Sequence, residues 1–156
     1  MQQILLRVAR RLSINQRKIV AELIGTFIVV VFASGSVVID AKTNGVLGIP
    51  FIAFAPFAGV AIGVYLFGKI SMAHFNPAVT VGYLITGHIS RVQLGYYFTA
   101  EIIGAISASV FVKYFIGSEA SLGANSFNHS YPILFVFGIE VSFSVVDGCN
   151  SDSCLY

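Results

Sequence analysis

Ile70-Ser71-Met72-Ala73-His74-Phe75-Asn76-Pro77-Ala78-Val79-Thr80-Val81-Gly82-Tyr83-Leu84-Ile85-Thr86 is the stretch on which the fold turns. It holds a helix start, Asn76-Pro77-Ala78, opening an apolar run that Gly87, His88 and Ser90 soon break. A helix needs about 20 apolar residues to cross a bilayer, and the run 77–86 offers only about half of that. It must enter the membrane and turn back. Hydrocarbon supplies no hydrogen-bond partners, so irregular backbone at that depth is tolerated only where protein buries it or where it lines a watery cavity. Asn76 is suited to cap the helix, and Pro77 to its first turn, where a missing N–H is no loss. The free N–H groups then sit at the positive end of a helix dipole near the midplane, a place that favours dipolar solutes and repels cations. An Asn-Pro pair also opens ordinary loop helices, so the surrounding sequence has to decide.

That surrounding sequence is strongly apolar. Of 156 residues 56% are hydrophobic and 10% charged, with a mean hydropathy of +0.86, whereas soluble chains carry about 25% charge. This composition indicates an all-α membrane protein. The formal net charge is only +2, and the basic residues gather at the amino end, not along a surface stripe, so no nucleic-acid partner is expected. Cys149 and Cys154 lie in the polar tail with no His at ligand spacing, which makes neither a disulfide framework nor a zinc site. No cofactor, metal or catalytic constellation is expected. Asn128-His129-Ser130 matches a glycosylation acceptor, a short pattern that carries little weight.

Four apolar stretches, 19–39, 47–70, 94–117 and 131–146, are expected to be transmembrane, with the half-helix 77–86 between the second and third. Residues 1–146 then make one partial transmembrane domain, and 147–156 an atypical polar tail. Gly59-x-x-x-Gly63 and Gly104-x-x-x-Ala108 have the spacing at which small residues let membrane helices approach closely. Arg7, Arg10, Arg11, Arg17 and Lys18 crowd the amino terminus and place it in the cytoplasm by the positive-inside rule. Counting crossings, Lys69 and Arg91 also face inward, while Lys42 and Glu119 face outward. The expectation is a multi-pass protein of the cell membrane whose half-helix enters from the cytoplasmic side.

Glu22, Glu101 and Glu140 stand inside apolar stretches, where a carboxylate is costly unless paired or wet. Glu22 is expected to brace the re-entrant loop by accepting its backbone N–H groups; a protonated acid bonded to a neighbouring helix is the alternative. Ala21-Glu22-Leu23-Ile24-Gly25-Thr26 and Ile139-Glu140-Val141-Ser142-Phe143-Ser144 share an acid followed four places later by a hydroxyl. This weak repeat gives Glu140 the same bracing role in an inverted duplicate. For Glu101, a structural bond and a proton relay are both open. His74 is expected to be a hydrogen-bonded brace of the loop.

These segments resemble the aquaporins and glycerol facilitators, the major intrinsic proteins. Ala21-Glu22-Leu23-Ile24-Gly25-Thr26-Phe27 is similar to the opening of their first helix, Ile70 to Thr80 to their first re-entrant loop, and Ile103-Gly104-Ala105 to a triplet of their third helix. The resemblance runs over about residues 18–146. It implies an aquaporin-like right-handed helix bundle, cut short after the start of its fourth transmembrane helix, and a homotetramer in the lipid bilayer. It also implies a passive pore, not an enzyme, in which Asn76 and the carbonyls of Ala73, His74 and Phe75 meet a file of water or small neutral solutes beside Pro77 and Ala78. Met72 replaces the usual Gly, and Glu101 the usual Gln. Pro56-Phe57 lies near the constriction, with Phe57 the aromatic candidate and the pore-facing member of the pair left open. The family's second Asn-Pro-Ala half-helix, the Arg after it and a fifth-helix residue have no counterpart here. The sequence therefore reads as a truncated or frame-disrupted product, either conducting or a fragment that assembles with relatives; a half-size subunit of a dimeric pore fits less well.

Overall fold

The structure is a computed structural model and describes residues 13–124, 132–135 and 138. Its first helix, α1, runs Ile14–Lys42. Ser13 and Gln16 start it with a reciprocal capping box, Gln16 Oε1 accepting from the Ser13 N–H at 2.8 Å and Ser13 Oγ from the Gln16 N–H at 3.4 Å. Asn44 and Gly45, at φ 56° and 78°, turn the chain. Asp40 Oδ1 then accepts from the Gly48 N–H at 2.7 Å, satisfying a donor at the start of α2, Gly48–Ser71. The short connection makes α1 and α2 antiparallel neighbours.

The half-helix α3 is Pro77–Ile85. Its 9 residues span about 14 Å at 1.5 Å each, under half of a hydrocarbon core about 30 Å thick. At its far end Gly87 takes φ 79°, and the His88 N–H returns to the Tyr83 carbonyl at 2.9 Å. A second capping box, Ser90 with Gln93, opens α4, Arg91–Phe111, which continues through a π-helical turn, Val112–Ile116. A 3-10 turn, Glu119–Gly123, follows. Ile14–Lys42, Gly48–Ser71 and Arg91–Ile116 are each long and apolar enough to cross a membrane. Helices α1 and α4 begin ahead of the apolar stretches 19–39 and 94–117, because the capping boxes at Ser13 and Ser90 start them among polar residues. The stretch 131–146 lies outside the described residues except for 132–135 and 138, as does the tail 147–156.

Helix α1 is the centre of the bundle, packing on α2 along one side and α4 along another. Both contacts depend on missing side chains. A Cβ on Gly59 would stand 3.0 Å from Phe32 Cβ, and one on Gly104 only 2.6 Å from the Leu23 carbonyl oxygen. Phe27 and Phe111 meet edge to face at 5.6 Å. At the Asp40 end, the Lys42 ammonium donates to the Ile116 carbonyl and lies 3.9 Å from Glu119 Oε1, tying α1 to the end of α4. The outward faces carry Phe54, Tyr65, Leu66, Ile102 and Ile106 in exposed positions, which suits contact with hydrocarbon.

Candidate functional site

Between α2 and α3 the chain makes a sharp reversal through residues that do not favour it. Met72, Ala73 and Phe75 hold φ of 70°, 53° and 52°, the left-handed region that costs non-glycine residues about 1–3 kcal/mol each. Such a loop persists only if its surroundings over-determine it, and they do. Glu22 Oε1 accepts from the His74 N–H at 3.0 Å and Oε2 from the Phe75 N–H at 2.7 Å. The Ser71 hydroxyl accepts from the Ala73 N–H at 3.2 Å. Tyr97 of α4 donates to the Ser71 carbonyl at 2.9 Å. Glu22 is completely buried, and these donors supply the partners a carboxylate requires there.

Phe75 adds a packing lock. Its ring fills the gap over two glycines: a Cβ on Gly25 would stand 1.9 Å from it, and one on Gly63 2.7 Å. Phe67 meets the same ring edge to face at 6.4 Å. The loop is thereby pinned between α1 and α2 by a side chain whose role the sequence reading had missed. The glycines facing it at matched levels of the two helices were the available signal.

His74 is buried and takes part in a chain of side chains. Its Nδ1 is 2.9 Å from Thr80 Oγ1, and the Thr80 hydroxyl donates to Glu101 Oε1 at 2.6 Å. The imidazole stacks on Tyr83 at 4.2 Å and meets Tyr97 edge to face at 4.8 Å. Thr80, Tyr97 and Ser71 were not singled out in the sequence; an apolar run gives a hydroxyl residue no distinguishing pattern.

Asn76 caps α3, its Oδ1 accepting from the Ala78 N–H at 2.9 Å. Since the cap uses the oxygen, the amide nitrogen is the side-chain group not taken up by the cap. Asn76, Pro77 and Ala78 are all exposed, so the positive end of α3 is open. Phe57 is placed elsewhere: it is 65% exposed and packs on Phe54 at 5.8 Å. Pro56, about 100° round the helix from it, lies at i, i+7 and i+11 spacing with Gly63 and Phe67, the stripe that touches Phe75. By that spacing Pro56 shares the stripe of α2 that meets the loop, about one residue's rotation from Phe57. Glu140 lies outside the described residues.

Comparison with known proteins agrees with this geometry. Residues 9–146 match the family described as Major intrinsic protein. The chain is similar to the protein named Aquaporin NIP1-1 of Zea mays, at 38% identity over 84% of this chain and 44% of that one. It is similar also to Glycerol uptake facilitator protein-like 6 of Lactiplantibacillus plantarum, at 42% over 65% and 45%, and to Aquaporin Z of Photorhabdus laumondii, at 40% over 65% and 44%. It spans a little under half the length of each of these relatives. With the match extending through α1, α2, the re-entrant loop, α3 and α4, the chain belongs to the major intrinsic protein family.

Proposed function

We propose that this chain forms one wall of a passive channel for water or small neutral solutes, embedded in the cell membrane with its amino terminus in the cytoplasm and assembled as a tetramer. The observation that carries this reading is the half-helix whose capped, exposed, positive end stops partway through the depth of the bundle. Its dipole favours the oxygen end of a neutral solute and opposes a cation, and pore width, lining hydrogen-bond groups and such electrostatic barriers are the physical basis of selectivity in pores of this kind. The Asn76 amide nitrogen donates to the passing solute, while the carbonyls of Ala73, His74 and Phe75 accept from it. Pro77 and Ala78 keep the tip free of side chains that would block it. Glu22 holds the loop in place, and Glu140 has the same role by the internal repeat. No bond of the solute is made or broken, so the protein acts as a channel and not as an enzyme. The relatives' names include both an aquaporin and a glycerol uptake facilitator, which supports a solute class of water or small neutral molecules.

A second reading follows from the exposure of Asn76, Pro77 and Ala78: the tip faces open space among the described residues, and the chain conducts only beside a partner that supplies a facing half-helix. Osmotic shrinkage of proteoliposomes holding the full chain separates the two. Faster volume change than in empty vesicles, reduced at least several-fold by Asn76→Leu, supports the channel formed by this chain. No difference from empty vesicles, with conduction gained on co-reconstitution with a relative, supports the second reading. No conduction in either case rejects both.

A further inference from the structure

We infer that Glu101 is a positioning residue of the pore loop: acting through Thr80, it sets the rotation of the half-helix and holds the His74 ring in its Nδ1–H tautomer. The inference rests on the channel reading for its functional meaning, but its geometry stands apart from conduction. Glu101 is 1% exposed and Thr80 completely buried, so the 2.6 Å bond between them forms away from water and with no solvent to compete for it. Thr80 lies one helical turn from Asn76, and its N–H bonds the Asn76 carbonyl at 3.0 Å. Whatever fixes Thr80 therefore fixes the azimuth at which the Asn76 side chain leaves the tip. Glu22 does not do this, because it holds the main chain of His74 and Phe75, upstream of the helix. The two carboxylates, one from α1 and one from α4, thus grip the loop and the half-helix separately.

Hydrogen accounting gives the second half of the inference. A threonine hydroxyl has one proton. With the Glu101 carboxylate as acceptor, Thr80 gives that proton to it, so at the 2.9 Å contact with His74 the hydroxyl has only lone pairs to offer and Nδ1 supplies the hydrogen. In the neutral ring Nε2 is then the acceptor, and it is buried with no protein partner among the described residues. Leucine at position 101 frees the Thr80 proton to turn to Nδ1, which moves the ring proton to Nε2. Glutamine keeps an oxygen facing Thr80 and leaves the tautomer as it is.

The test is 15N solid-state NMR of the full chain in lipid bilayers. Carbonyl-13C alanine with 15N histidine selects Ala73-His74, since His88 follows Gly87 and His129 follows Asn128. The expected result is Nδ1–H in the wild type and in Glu101→Gln, and Nε2–H in Glu101→Leu, with the Asn76 side-chain amide signals shifted only in the leucine variant. In a Thr80→Val background, changing residue 101 should leave the tautomer unchanged. An Nε2–H wild type overturns the inference without recourse to any variant, as does a tautomer indifferent to residue 101 when Thr80 is present. The readout needs no conduction, so a silent channel with the expected tautomers rejects the channel reading and leaves the role of Glu101 standing.

Discussion

Phe75 occupies a space that exists only because Gly25 and Gly63 lack side chains, and the loop's position depends on that space. Ala at position 25 puts a methyl 1.9 Å from the ring, so the ring must leave and the loop with it. Gly25→Ala is expected to cost about 1–3 kcal/mol, the range for overpacked cores, and Gly63→Ala less, because its nearest ring atom lies at 2.7 Å and the ring has less far to move. Thermal unfolding in detergent checks the order. Met72 works in the opposite direction. At φ 70° it carries the steric penalty of about 1–2 kcal/mol that glycine escapes, so Met72→Gly should raise stability by about 1 kcal/mol in the same assay, after the larger backbone freedom of unfolded glycine is set against the relief. Glu22→Leu removes the acceptor of two buried N–H groups, each costing about 1–3 kcal/mol when left unpaired. Glu22→Gln should fall between it and the wild type, since a carboxamide has a single acceptor oxygen and presents an NH2 to the other donor. A Glu22→Gln as stable as the wild type would show that the two N–H bonds do not hold the loop.

At the level of elements, the short α3 has little stability of its own, since helices under about 12 residues are marginal when isolated, and it relies on its seat against α4. That seat depends on how closely α4 approaches α1. A methyl on Gly104 meets the Leu23 carbonyl oxygen at 2.6 Å, a backbone atom that cannot move aside without parting the helices. Gly104→Ala should therefore loosen Tyr97 from Ser71 and Glu101 from Thr80 together, and destabilise more than Gly63→Ala in the same unfolding series. Such elements differ in how visible they are in sequence. The half-helix was legible because its signals are local: an Asn-Pro cap, and an apolar run too short to cross. Glu22 was legible because a carboxylate in an apolar run demands a partner, and the irregular loop was the neighbour rich in unpaired N–H groups. The Phe75 wedge and the Thr80 relay were not, because each depends on which residues of distant helices come level with the loop. The pair Pro56 and Phe57 stayed open in the sequence because the rotation of α2 is not disclosed by an apolar helix with no polar face.

For the whole molecule, the hydrogen bonds fix which ends lie together. Glu22 near the start of α1 holds the loop after α2, and Tyr97 near the start of α4 holds Ser71, so Arg17, Lys18, Lys69 and Arg91 share one end of the bundle. Lys42 meets Ile116 and Glu119 at the other, with Lys113 one turn before. Orientation follows the Lys and Arg bias of the two ends, and four basic residues against two among the described residues are the bias expected of a cytoplasmic first end. With Cys149→Ser and Cys154→Ser as background, Val46→Cys, at a loop position 80% exposed, should react with a membrane-impermeant maleimide on intact cells. His88→Cys, in the turn after the half-helix, should react only after permeabilisation. The reverse pattern would turn the bundle over and bring the half-helix in from outside, and reaction of both sites on intact cells would mean two orientations coexist. Only the dual result would give weight to an antiparallel pair of chains, in which two copies bring their Asn76 tips together from opposite faces of the bilayer. The concentration of positive charge at one end opposes it, because a copy inserted upside down would carry that whole charge across the membrane.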